Sequence, residues 1–116
     1  MGLVFTVHGV SPTALTAGDQ LVDLASLRAT WAQHEQKMRA FVEALDEAGV
    51  NRVVEYQLLS GQPGATPIWQ MVQHVVNHAS YHRGQLTTML RQVGAQPAKS
   101  MDMIAYYRIR GLGARG

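Results

Sequence analysis

The chain contains no cysteine. That single absence excludes a disulfide scaffold, an iron–sulfur cluster, a thiolate zinc site and a cysteine nucleophile. Prolines number 4, and aromatic residues make up only 7%. No apolar run approaches the roughly 18 residues of a membrane span. No glycine-rich phosphate loop, Ser-His-Asp order or closely spaced carboxylate pair appears either. Residues 1–8 lack a basic n-region and are too short for a signal peptide. A cytoplasmic protein without membrane association is therefore expected.

What remains is a chain of 116 residues, enough for one domain, with 47% hydrophobic and 16% charged side chains. These shares match ordinary globular usage and argue against disorder. Histidine (5) and methionine (6) are the suggestive counts. The net charge of +2 is small but unevenly spread. Residues 1–82 carry 4 basic and 7 acidic side chains, and residues 83–116 carry 6 and 1. Charge asymmetry alone does not make a nucleic-acid partner, and none is expected.

Two long helices are predicted. Leu24, Trp31, Met38 and Leu45 recur every seven residues, interleaved with Leu27, His34, Phe41 and Ala48. The helix should run from about residue 20 to 48, capped by Asp19 or Asp23 and stopped by Gly49. The second opens with Thr66 as N-cap and Pro67 at the first helical position, and it stops at Gly94. The interior Gly84 suggests close packing or a steric need there. Between the helices, residues 53–59 read as an extended segment or small hairpin turned by residues 60–64. A short terminal helix is expected over about 100–107. Residues 1–19 read as irregular and 111–116 as a flexible tail, all within one domain. The class is all-α: two long helices and a short third per chain, an antiparallel bundle completed as a four-helix core by homodimerisation.

The chemistry concentrates in Gln73-His74-Val-Val-Asn77-His78-Ala-Ser-Tyr81-His82-Arg83-Gly84-Gln85. Histidines four apart share a helical face and can chelate one ion. At about 100° per residue, His82 falls about 20° from the centre of the apolar face, His78 about 55° and His74 about 95°. His78 and His82 should thus point inward, with His74 at the boundary. Two readings stay open on spacing alone: ligands of a divalent metal, or a hydrogen-bonded pair in the core. His34 and His8 are candidates for a third ligand. Trp31 and Trp69 read as packing residues, and Tyr81 as partly exposed. Arg83 reads as an ion-pair partner or a contact to an anionic substrate. Asp102 reads as a helix cap or an anchor behind the ligands.

The run Asn77-His78-Ala-Ser-Tyr81-His82-Arg83-Gly84-Gln85-Leu86, followed by Leu90-Arg91-Gln92-Val93-Gly94, resembles the signature helix of the DinB-like (DinB/YfiT) metalloenzyme family. The likeness extends to Tyr56 through Gly61, to Pro67-Ile68-Trp69, to Pro97 and to residues 102–108, so it covers about residues 20–110. It implies a four-helix bundle with a three-histidine site for Ni or Zn, of which His78 and His82 match two ligands. His74, His34 and His8 are left as third ligand or supporting residues, with Arg83, Gln85 and Asp102 in supporting or structural roles. The family's third ligand comes from an earlier helix, and only about 20 residues precede the matching segment here. The chain therefore reads as a member lacking its N-terminal third. Either two subunits restore the bundle, or metal binding is weakened or lost. The resemblance implies a metal-dependent transferase, with thiol chemistry in some relatives, or a hydrolase. The alternative is a non-catalytic helical homodimer.

Overall fold

A computed structural model describes residues 22–99 and 101–111. It is mostly helical, with one small sheet, in the order α1 (Leu24–Glu43), α2 (Glu47–Asn51), β1 (Val53–Gln57), β2 (Pro63–Pro67), α3 (Ile68–Gln92) and α4 (Met103–Ile109). The expectations for residues 1–19 and 112–116, and for His8 and Asp19, lie outside the described residues. Among the described residues no helix is long and apolar enough to cross a membrane. The chain divides into two compact units at Val75, within α3.

In the first unit, α1 begins where the Asp23 carboxylate accepts the Ser26 amide at 2.7 Å. That amide bond is the main cause holding the Asp23 carboxyl below its ordinary pKa. The single helix expected over 20–48 is broken. α1 ends at Ala44, and Asp46 starts α2 by accepting the Gly49 amide at 2.7 Å. Gly49 therefore lies within a second helix rather than ending the first. An aspartate that satisfies an otherwise orphaned amide favours a new helical start.

The extended segment is a hairpin. β1 and β2 pair antiparallel with Val54 opposite Thr66 and Tyr56 opposite Gly64. The loop is closed by the Leu58 amide donating to the Gln62 carbonyl at 2.8 Å. The Tyr56 ring lies over Gly64, where an added Cβ would meet it at 2.7 Å. Its hydroxyl reaches the Thr66 Oγ1 at 2.9 Å. An aromatic covering a cross-strand glycine supplies the packing that the glycine lacks. Thr66 and Pro67 thus belong to β2 rather than to a helix start.

Two strands alone are marginal in water, so the hairpin needs a cover. Val54 and Ile68 form the buried cluster, with Met38, Phe41, Leu45, Met71 and Val72 packed against it. Ile68 is 0% exposed, and its amide donates to the Arg52 carbonyl at 3.0 Å. The core therefore sits where the end of α1, the hairpin and the first turn of α3 meet. Farther up α1 the apolar stripe is open. Leu27, Trp31, His34, Met38 and Val42 line a groove, and Trp31 is 69% exposed, so it does not serve as core.

In the second unit, α3 stops as its glycine predicts. Gly94 has φ of +74°, the Ala95 amide donates to the Leu90 carbonyl at 2.9 Å, and the Gly94 amide to Arg91 at 3.1 Å. This paired closure satisfies two orphaned carbonyls and needs a left-handed residue. Gly84 departs from expectation, because an added Cβ there would meet nothing within 4 Å. In α4 the Arg110 guanidinium lies 5.8 Å from the Tyr106 ring centroid, within reach of a cation–π contact.

Ile68→Ala should destabilise the protein by about 2–5 kcal/mol, read as a shifted midpoint in urea. The two strand and helix glycines should respond with opposite signs in thermal melts. Gly64→Ala forces the Tyr56 ring aside and should cost about 1–3 kcal/mol. Gly84→Ala should stabilise α3 by about 0.5–1 kcal/mol.

Candidate metal centre

Helical spacing sets the site. On α3, residues three and four apart are neighbours on one face, which places His78, Tyr81, His82 and Gln85 side by side. His78 Nε2 and His82 Nε2 are 2.9 Å apart. Their rings meet edge to face, with centroids 4.5 Å apart and planes at 85°. Tyr81 stacks on His78 at 6.1 Å and meets His82 edge-on at 5.4 Å. On the far side of His82, its Nδ1 is 3.0 Å from Gln85 Oε1. Gln85 Nε2 in turn donates to the Tyr81 hydroxyl at 3.3 Å.

The donor set fits a divalent cation. Imidazole nitrogens bind Zn at about 2.0–2.1 Å, so two of them 2.9 Å apart subtend roughly 90° at a shared ion. Imidazole also suits Ni, Cu and Fe. The single chain does not itself cover the face expected to point inward, however. His78 and His82 are exposed rather than turned into a core, as are Val76, Leu86, Met89 and Val93 in the same unit. The helical angle assigns a face correctly, but whether that face is covered depends on what packs there.

The other candidates lie apart from this pair. Among the described residues no three His, Cys, Asp or Glu side chains group as a metal site. His34 sits half-buried in the groove of α1. His74 lines a pocket of about 510 Å³ with Tyr56, Leu58, Thr66, Gln70, Met71 and Val75. Arg83 donates to the Ser80 hydroxyl at 2.9 Å. Asp102 occupies the N-cap position of α4 without a side-chain capping bond, while its carbonyl accepts from the Ala105 amide at 3.0 Å. Tyr81 is the residue that sequence reasoning passed over. Its spacing, three after His78 and four before Gln85, was the available signal.

Comparison with known proteins bears on the same stretch. A sequence model of the DinB family matches residues 10–110. A relative from Bacillus subtilis (strain 168), named Protein DinB, is 42% identical over 45 residues, which is 39% of this chain. The chain spans about a quarter (26%) of the length of that curated relative. No solved structure matches. Because the family match takes in nearly all of the chain, including the helix that carries His78, His82 and Gln85, the protein belongs to the DinB family.

Proposed function

We propose that the protein binds a divalent metal, Ni or Zn, through His78 Nε2 and His82 Nε2, and uses it in transferase or hydrolase chemistry. The observation that carries this reading is the 2.9 Å separation of the two nitrogens on one turn of α3. A bound divalent ion would supply Lewis acidity and lower the pKa of a water or thiol at an open position. The chain's own residues do the rest. His78 and His82 hold the two donor atoms together, and Tyr81 packs against both rings so that their separation is kept. Arg83, held to Ser80, places a positive charge one residue beyond His82, suited to an anionic substrate.

A pair of imidazoles leaves the coordination shell open, and a further protein donor belongs to the reading. Its proposed source is a second copy of the chain. The exposed stripe of Leu27, Trp31 and Val42 on α1 supports association, since large apolar patches mark interaction surfaces. A non-catalytic homodimer, in which the histidines only pair with each other, is the second reading. The Nε2 to Nε2 contact favours it as directly, because it is itself a hydrogen bond.

Metal analysis separates the two. Protein purified without a nickel column should contain Zn or Ni, and His78→Ala with His82→Ala should lose it. Saturating metal at about 100 times its Kd should stabilise the parent by about 2.7 kcal/mol, and the double variant not at all. Full metal content in the double variant would overturn the assignment. Sedimentation should show a dimer that Trp31→Glu shifts towards monomer.

A further inference from the structure

We infer that two copies of the chain join through the outer edge of β1, so that their hairpins form one four-stranded sheet in the order β2-β1-β1-β2. The inference rests on the reading that a second copy associates with this one, and it says where the two backbones meet. It does not depend on the apolar stripe of α1.

The pairing of β1 with β2 fixes which backbone groups face outward. The Leu58 amide donates to the Gln62 carbonyl at 2.8 Å, and the Ile68 amide to the Arg52 carbonyl at 3.0 Å. These bonds bracket the ladder, in register with Val54 opposite Thr66 and Tyr56 opposite Gly64. Antiparallel pairs alternate between hydrogen-bonded and open ones. The intervening pairs, Val53 with Pro67, Glu55 with Ala65 and Gln57 with Pro63, therefore turn their backbone groups away from each other. On β2 the first and last of these positions are proline, which has no amide to give. Its edge offers one outward amide, at Ala65. On β1 every one of these residues carries an amide. Among the described residues the sheet has only these 2 strands, and Val53 is 57% exposed.

An open edge is a template for another strand, and proline is one way a protein closes it. Here the β2 edge is closed and the β1 edge is not. A second copy brings one competent edge, its own β1, and joining the two leaves only proline-bearing edges outside. The assembly thus stops at a closed pair related by a two-fold axis. A two-stranded sheet is marginal in water, and added strands remedy that. Side chains select the register. An axis through Glu55 would set two carboxylates directly opposite each other, which is destabilising. An axis through Val54 instead sets Val53 opposite Glu55 of the second copy, and Val54 opposite Val54. Because Val54 is only 5% exposed and packs with Ile68, this register runs the two buried clusters together across the axis.

Sedimentation and amide exchange of the full chain test this. The parent should sediment as a dimer. Glu55→Pro removes an outward amide while leaving the bonds between β1 and β2 in place, and it should shift the dimer to monomer. Ala65→Pro makes the same change on the closed edge and should leave the dimer as it is. Circular dichroism melts check that both variants fold. Amide exchange needs no variant. In the parent, the Val53 and Glu55 amides should be protected at high concentration and lose that protection on dilution, while Ala65 exchanges freely at both. A Glu55→Pro protein that folds and stays dimeric overturns the inference. So does protection of Val53 and Glu55 in a monomer, which would mean that other residues of this chain cover the edge. A dimer broken by Trp31→Glu but not by Glu55→Pro removes the edge and keeps the α1 stripe, and the opposite result keeps the edge and removes the stripe. A monomeric parent overturns both.

Discussion

The first unit depends on what happens at Ile68. Its amide ties the start of α3 to the carbonyl of Arg52, just ahead of β1, and its side chain is the most deeply buried in the core. One residue therefore joins the hairpin to the helix by a backbone bond and by apolar burial together. A two-stranded sheet has too little surface to hold itself, so the bond would be exposed to competition from water without that burial. The burial in turn needs the hairpin register that places Val54 beside it. The first turn of α3 leaves the hairpin in a fixed direction because these two conditions are met at the same place.

The site obeys a different rule. Its four residues are related by helical spacing, and each contact among them is between residues near one another on a single helix. The core at Ile68 secures where α3 begins, while the relative placement of His78, Tyr81, His82 and Gln85 follows from the helix itself. Exposure is the cost of this arrangement. An imidazole pair in water is solvated on every open side.

Much of this was legible in the sequence, and the rest for definite reasons was not. Gly94 ended α3 as predicted because its left-handed conformation is a local requirement that neighbours in space do not alter. The His78 and His82 pairing was equally local. The long helix over residues 20–48 failed because a seven-residue repeat reports faces, not continuity. Leu45 extends the stripe, yet it packs on the core from outside α1, and Asp46 caps a new helix beside it. Thr66-Pro67 carried a strong helix-start signature, which pairing with Val54 and Val53 overrode. The single chain leaves the histidine face open. An apolar stripe names the side a helix would bury, and burial needs a second surface. Tyr81 is exposed as expected, but its contacts with both imidazoles and with Gln85 were not foreseen, because exposure says nothing of what a ring touches on its own helix.

Gly94 and the residues just before it bear on the order in which the molecule is made. The chain reversal at Gly94 closes through bonds to Leu90 and Arg91, so it too needs nothing distant. Helix growth takes nanoseconds per residue once a nucleus exists, far faster than a hairpin closes. The imidazole pair and Gln85 come into register as α3 forms, with no contact needed from the hairpin. In an emerging polypeptide every residue of the core at Ile68 precedes His78, so the start of α3 can be anchored before its histidine face is complete.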